Sequence, residues 1–242
     1  MKKLQNAVFI TGAGQRIGYY LAKCFLQQAD YPVVFTYRTR HRQVDELIGL
    51  GAVGFQVDFF LPDALPKLVN QVKGQVLSLR AVIHNASVWL SDERIEKEGG
   101  GGDFNALFQL HVKVPYDLNR EFTRLLNASV SPLKDIISLS DASVVNGLSA
   151  DYIAYGSSKA ALQALMKGFS KKLAPDIKVN DIAPALIMFN EGDDEAYKQR
   201  RLAQSALGLE PGAEVVWQAV QYLMNSPYTT GTVLSLDGGR KS

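Results

Sequence analysis

Seven short apolar runs punctuate this chain, and the stretches between them carry a different period. The runs are Ala7–Ile10, Val33–Tyr37, Gly54–Val57, Ala81–His84, Ile136–Leu139, Val179–Ile182 and Val233–Leu236. Between them apolar residues return every three or four positions, as at Ile17, Leu21, Cys24 and Phe25 or at Leu107, Leu110, Val114 and Leu118. That is the period of one helical face. Strands that alternate with crossover helices lie parallel and are covered on both faces. No linker, repeat or change of composition interrupts the 242 residues, so a single α/β domain over 1–242 is expected. Two irregularities fall in one region. Pro115 lies inside a long helical pattern and is expected to kink it, because its ring removes a backbone donor. Glu98-Gly-Gly-Gly-Gly-Asp103 reads as a flexible entry to that helix, with Asp103 as its N-cap.

Composition narrows the class of function. Apolar residues make up 47% and charged residues 21%, which supports a sizeable core and argues against disorder. The net charge is +2 without blocks of like charge, so no nucleic-acid footprint stands out. No stretch reaches the roughly 18 apolar residues of a membrane span. The charged N-terminus runs quickly into a Thr-Gly turn, which is a first strand rather than a signal peptide. A cytoplasmic protein is expected. The single cysteine, Cys24, lies on an apolar helical face as a core residue and excludes a disulfide framework. No two histidines or acids share ligand spacing, so no metal site is expected. His84 ends a strand, and His41 lies in a loop.

Thr11-Gly-Ala-Gly-Gln-Arg-Ile-Gly18 follows the first run directly and opens the first helical stretch. Gly12 permits a tight turn, while Gly14 and Gly18 allow backbone and helix N-terminus to approach a pyrophosphate, whose charge the helix dipole favours. After the second run, Thr36-Tyr-Arg-Thr39 has no acid for a ribose 2′-hydroxyl. Arg38 and Thr39 offer donors for a 2′-phosphate instead, with Arg40 and Arg42 close by, so NADPH is expected over NADH. Asp58 closes the third run, either to accept from an adenine amino group or to cap the helix after Pro62.

Tyr155-Gly-Ser-Ser-Lys159 places a phenol and an ammonium on one helical face. A phenol titrates near pH 10 when unperturbed. A neighbouring cation is expected to pull that down, and a neighbouring acid to raise it.

In order along the chain, Thr11–Gly18, Asp58, Asn85-Ala86, Tyr155 with Lys159, Val179-Asn180 with Pro184, and Thr230-Gly231 through Asp237-Gly-Gly239 resemble the short-chain dehydrogenase/reductase family. The resemblance implies a doubly wound Rossmann fold with a mostly parallel seven-stranded sheet. It also implies a substrate lid at about 186–212 and assembly as a homotetramer or homodimer through paired long helices. Departures from the commonest pattern come together. His84-Asn-Ala-Ser-Val-Trp89 stands for the usual Asn-Asn-Ala-Gly, Asp141 for the active-site serine, His111 for an asparagine, and Pro184-Ala185 for Pro-Gly. With Arg16 and Phe189-Asn190-Glu191, these look like pteridine reductases of the bacterial dihydromonapterin/dihydrofolate branch.

That resemblance implies NADPH-dependent reduction of a dihydropterin, 7,8-dihydromonapterin or a dihydrofolate or dihydrobiopterin. Tyr155, Lys159 and Asp141 would be catalytic. Asp141 is one residue farther from Tyr155 than the family spacing, which leaves Ser140 and Ser143 as alternative partners of the tyrosine. The cofactor would meet Gly12, Gly14, Arg16, Ile17, Gly18, Tyr37, Arg38, Thr39, Asp58, Asn85, Ala86, Ser87, Tyr155, Lys159, Pro184 and Leu186. The pterin would meet Arg16, Ser87, Trp89, Asp141 and Tyr155, with the Trp89 indole on the ring face away from the nicotinamide. His111 is either a proton relay toward Lys159 or a core histidine. Two other readings stay open: a carbonyl or 3-oxoacyl reductase of the same family, and a non-catalytic dinucleotide sensor.

Overall fold

The computed structural model describes residues 3–28, 31–97 and 101–240. Seven strands form one sheet in the order β3-β2-β1-β4-β5-β6-β7, every neighbouring pair parallel. They are β1 Ala7–Ile10, β2 Val33–Tyr37, β3 Val53–Gln56, β4 Leu79–His84, β5 Asp135–Leu139, β6 Lys178–Pro184 and β7 Val233–Leu236. The helices are α1 Arg16–Gln28, α2 Arg42–Gly49, α3 Ala64–Gln75, α4 Asp92–Lys97, α5 Gly101–Phe108, α6 Val114–Asn127, α7 Ser143–Asn146, α8 Ile153–Leu173, α9 Glu195–Leu202 and α10 Glu214–Asn225. Strands β1, β2, β4 and β5 are buried along their whole length, as strands with helices on both faces must be. Alternation of side chains then divides the core in two. Val8 and Ile10 face α1 and α10 through Leu21, Phe25 and Trp217. Phe9 faces α6 and α8 through Phe122 and Phe169. The Phe9 and Phe122 rings meet edge to face at 5.0 Å, a geometry worth about 0.5–1.5 kcal/mol beyond the area buried.

The chain runs outward from β1 to β3 and then crosses back to β4. The strand order therefore reverses between β1 and β4, and their C-terminal ends open a crevice where such folds bind ligands. Two loops meet there and are stitched together. The Asn85 and Ala86 backbone N–H groups both donate to Thr11 Oγ1 at 3.0 Å, and the Asn85 side chain donates to the carbonyls of Thr11 and Gly12. Two glycines are required for this approach. Gly12 has φ +68°, and a Cβ there would lie 2.7 Å from Ala86 Cα; one on Gly18 would lie 2.5 Å from Asn85 Nδ2.

The helical path runs on through α5 and α6 by way of a π-turn over Gln109–Lys113, and Pro115 follows directly in the first turn of α6. The glycine entry at 98–100 lies outside the described residues. Asp103 sits inside the first turn of α5 rather than before it, 3.8 Å from Arg94, so it is not the N-cap. Among the described residues no helix is long and apolar enough to cross a membrane, and no cluster of potential metal ligands occurs.

Candidate active site

The crevice is a cleft of about 320 Å³ that gathers Gly12, Gly14, Arg16, Ile17, Gly18, Tyr37, Arg38, Thr39, Asp58, Asn85, Ala86 and Ser87. These residues come from four separate stretches of chain, brought together by the ends of β1, β2, β3 and β4. Helix α1 points its N-terminus at the cleft, with Arg16 at φ +52° turning the chain into it. Its first N–H groups and dipole make this end favourable for an anion. Asp58 does not cap the helix after Pro62; its Oδ1 accepts from the Phe60 N–H two residues on. Arg40 is likewise drawn away from the patch, pairing with Asp45 through two nitrogens. Arg38 and Thr39 remain on the cleft wall, and the sequence reading missed His41 beside them.

Two further expected cofactor residues, Pro184 and Leu186, lie at and just beyond the end of β6. Leu186 lines a separate cavity of about 260 Å³ with Leu207, Pro211 and Asp237. Pro184 ends β6, paired with Leu236, and its carbonyl accepts from Ala142 N–H. Arg16 ties the chain after β6 to the glycine loop: its guanidinium donates to Asn190 Oδ1 at 2.5 Å and to the Met188 carbonyl at 3.0 Å. In α9 the acids are not paired with the nearby cations by helical spacing. Asp194 caps the helix at Tyr197 N–H, and Glu195 accepts from Gln199.

Ser87 on the cleft wall is linked to the tyrosine through the ring of His111. Tyr155 and Lys159 stand one turn apart on α8, both buried. The Tyr155 hydroxyl donates to Asp141 Oδ2 at 3.2 Å, while Asp141 Oδ1 accepts from Ser143 N–H. Ser140, one residue earlier, turns the other way and donates to Asp181. Of the three candidate partners, the carboxylate is therefore the one beside the phenol. Burial, then the charge and hydrogen bond of Asp141, push the Tyr155 phenol well above its ordinary value, with Ser87 opposing. Of the two opposing influences expected on the phenol, the acid is the one felt, after burial. Lys159 Nζ instead donates to the Leu139 carbonyl at 2.9 Å, and burial lowers it to about 8.

His111, in the π-turn, joins the two halves of the site. Its ring stands edge-on to Tyr155 at 5.7 Å, with Nε2 2.9 Å from Ser87 Oγ and Nδ1 2.8 Å from Ser158 Oγ. One consistent set of donors runs Ser87 to His111 to Ser158 to the Tyr155 carbonyl. Burial keeps the imidazole far below its ordinary pKa, hence neutral, and it has no direct bond to Lys159 among these contacts. His84 bonds Asn119 in the interior.

Trp89 lies on a neighbouring cleft with Ser87, Val88 and Arg38. One face of its indole is covered by Tyr152, stacked at 4.6 Å and 5°, a partner the sequence reading did not name. The tryptophan is still 56% exposed, so its other face is open. Tyr152 is held in place because Asp92 accepts from the N–H groups of Ile153 and Ala154, capping α8 from another element.

Residues 12–241 match a family model described as enoyl-(acyl carrier protein) reductase. The chain belongs to the short-chain dehydrogenase/reductase family. Among curated members it is 44% identical over 235 residues to a dihydromonapterin reductase of Klebsiella pneumoniae, covering 96% of this chain and 95% of that one. It is 42% identical over 243 residues to a dihydromonapterin reductase of Escherichia coli O6:H1, covering 99% of each. The short-chain reductase fold also matches the FolM alternative dihydrofolate reductase 1 of Brucella canis, solved with NADP. The TM-score is 0.84 at 23% identity, over 98% of this chain and 94% of that one.

Proposed function

We propose that this chain is an NADPH-dependent reductase that converts a dihydropterin, 7,8-dihydromonapterin foremost, to its tetrahydro form. The observation that carries this reading is the carboxylate on the Tyr155 hydroxyl. Burial first, and then this carboxylate, hold the phenol protonated, which suits a residue that gives a proton to a ring nitrogen rather than one that takes a proton from an alcohol. The full-length identity to dihydromonapterin reductases supports the same substrate, and the dihydrofolate reductase neighbour makes dihydrofolate the second compound to test.

The residues present fit the dinucleotide. Gly12, Gly14 and Gly18 line the cleft without side chains, α1 offers its N-terminus, and Arg38 and Thr39 line the same cleft. When bound, NADPH supplies the hydride. The chain's own part is to hold the ribose through Lys159, to hold the pterin against the open face of Trp89, and to donate a proton from Tyr155 with Asp141 orienting the hydroxyl. Segment 186–212, which meets the glycine loop through Arg16, acts as the substrate lid. The exposed Phe104 and Tyr116 on α5 and α6 support a homo-oligomer assembled through those helices, and the composition supports a cytoplasmic location.

The deciding experiment is steady-state oxidation of NADPH with dihydromonapterin, dihydrofolate and a 3-oxoacyl thioester. Reduction of the thioester with no dihydropterin turnover would overturn the assignment in favour of a carbonyl reductase. Within the same assay Arg38→Asp should weaken NADPH by about ten- to a hundredfold, the worth of a charge-assisted contact of roughly 1.5–3 kcal/mol, and leave NADH nearly unchanged. Trp89→Phe should keep dihydropterin KM within a few-fold, whereas Trp89→Leu loses the stack, worth about 0.5–1.5 kcal/mol, and raises KM. Equal KM values for the two variants would show that the indole only fills space.

A further inference from the structure

In the interior of the sheet, β6 carries an acid, Asp181, that is 1% exposed. A carboxylate there is costly unless it is well partnered. Its partners come from β5, where Ser138 lies opposite it in register. The Ser138 hydroxyl donates to one carboxylate oxygen and the Ser140 hydroxyl to the other, and Gln163 of α8 donates to Ser140 Oγ at 2.8 Å. Strand alternation puts Ser138 and Ser140 on the face of Ile136, and Asp181 on the face of Val179. Both faces pack against Leu162 and Met166 of α8, the helix that carries Lys159. Between the two serines stands Leu139, whose carbonyl accepts from Lys159 Nζ. One carboxylate thus braces both neighbours of the group that holds the lysine.

We propose that Asp181 is a positioning residue for Lys159, fixing the Leu139 carbonyl from below and keeping the ammonium charged. What Lys159 does in turnover follows from the reductase reading above; what Asp181 does to Lys159 follows from this geometry. The charges are coupled: burial raises Asp181 to about 7 against the hydrogen bonds of Ser138 and Ser140 and then the charge of Lys159, and Asp141 and Asp181 both oppose the lowering of Lys159 by burial. The other titratable groups around the pair are Tyr155 on α8, His111 in the π-turn and His84 on β4, whose backbone lies opposite Ser138. Burial keeps all three uncharged near neutrality, so the anions acting on Lys159 are Asp141 and Asp181.

The test is a titration of the full chain without added cofactor or substrate. The lysine side chains are followed by carbon NMR, and Lys159 is assigned through Lys159→Arg. Asp181→Asn should lower the Lys159 midpoint by about one unit. The alkaline limb of turnover should move to lower pH by the same amount, with the rate regained at lower pH. Coupling is reciprocal, so Lys159→Met should raise the carboxyl midpoint of Asp181 by an equal amount. That second measurement decides the matter if Asp181→Asn does not fold. An unmoved Lys159 midpoint in a folded Asp181→Asn, or an unmoved Asp181 midpoint in Lys159→Met, overturns the proposal. Failure of the pterin assay would leave both titrations readable.

Discussion

Tyr155→Phe is expected to lower turnover of dihydropterin by about 10²–10⁴-fold, the usual contribution of a positioned general acid, while NADPH affinity changes only a few-fold. The phenyl ring still fills its place between His111 and Leu107, Leu90 and Ala154, so the cleft formed by β1 and β4 is undisturbed. Only the hydroxyl that donates to Asp141 is lost. Lys159→Ala should differ in kind, because on the proposed reading it removes the group that holds the cofactor ribose and that lies 5.7 Å from the Tyr155 ring, and both affinity and rate should fall. The measurements are single-turnover NADPH oxidation and cofactor binding by fluorescence. Asp141→Ala, Ser140→Ala and Ser143→Ala complete the set. A serine variant that costs as much as Asp141→Ala would remove support for the carboxylate as the partner of Tyr155. Full turnover in Tyr155→Phe would show that the proton comes from elsewhere.

The parts of this site that were legible in the sequence are those set by local chain geometry. A strand end, a glycine loop and a helix start follow one another within Ala7–Gln28, so their meeting point was readable without long-range information. Arg38, Asp58 and Asn85 each lie just past the end of a strand, and parallel strands bring their C-terminal ends to one edge. The choice among Ser140, Asp141 and Ser143 was different. It depended on which way each side chain turns in the segment between β5 and α7, which spacing along the chain does not fix. There Ser140 follows β5 downward to Asp181 and Asp141 turns upward to Tyr155. The path of the chain after β6 had no local signal for a related reason: it is set by contacts to distant residues, Arg16 and Glu210 among them. The stack of Tyr152 on Trp89 had no local signal either, because it rests on Asp92 capping a helix sixty residues away.

Asp135→Ala should be the most destabilising substitution outside the site, by about 3–5 kcal/mol, the cost of leaving buried charges unpaired. At the opposite end of the sheet from the cleft, Asp135 opens β5 between two cations. Arg80 on β4 pairs with its Oδ2, and Lys178 on β6 lies 3.1 Å from Oδ1. The aspartate side chain is fully buried, and those of Arg80 and Lys178 are 4% and 10% exposed. Both cations also hold the end of α10: Arg80 donates to the Met224 carbonyl, and Lys178 to those of Leu223 and Ser226. Positive charge at a helix C-terminus is favourable, but two cations this close need the anion between them. Without it they repel each other in a medium that screens little, and α10 loses its fixed anchor. For a chain of this size, each kcal/mol moves Tm by roughly 2–4 °C, so a fall of about 6–20 °C is expected in a thermal melt. Glu121→Ala is the control, since its pair with Lys73 is nearly half exposed on both sides and such pairs contribute about 0–1 kcal/mol. If the two variants melt together, the buried triad does not anchor α10. If Asp135→Ala alone falls, hydrogen exchange should show the loss of protection concentrated in the last turn of α10, where the two cations meet the carbonyls.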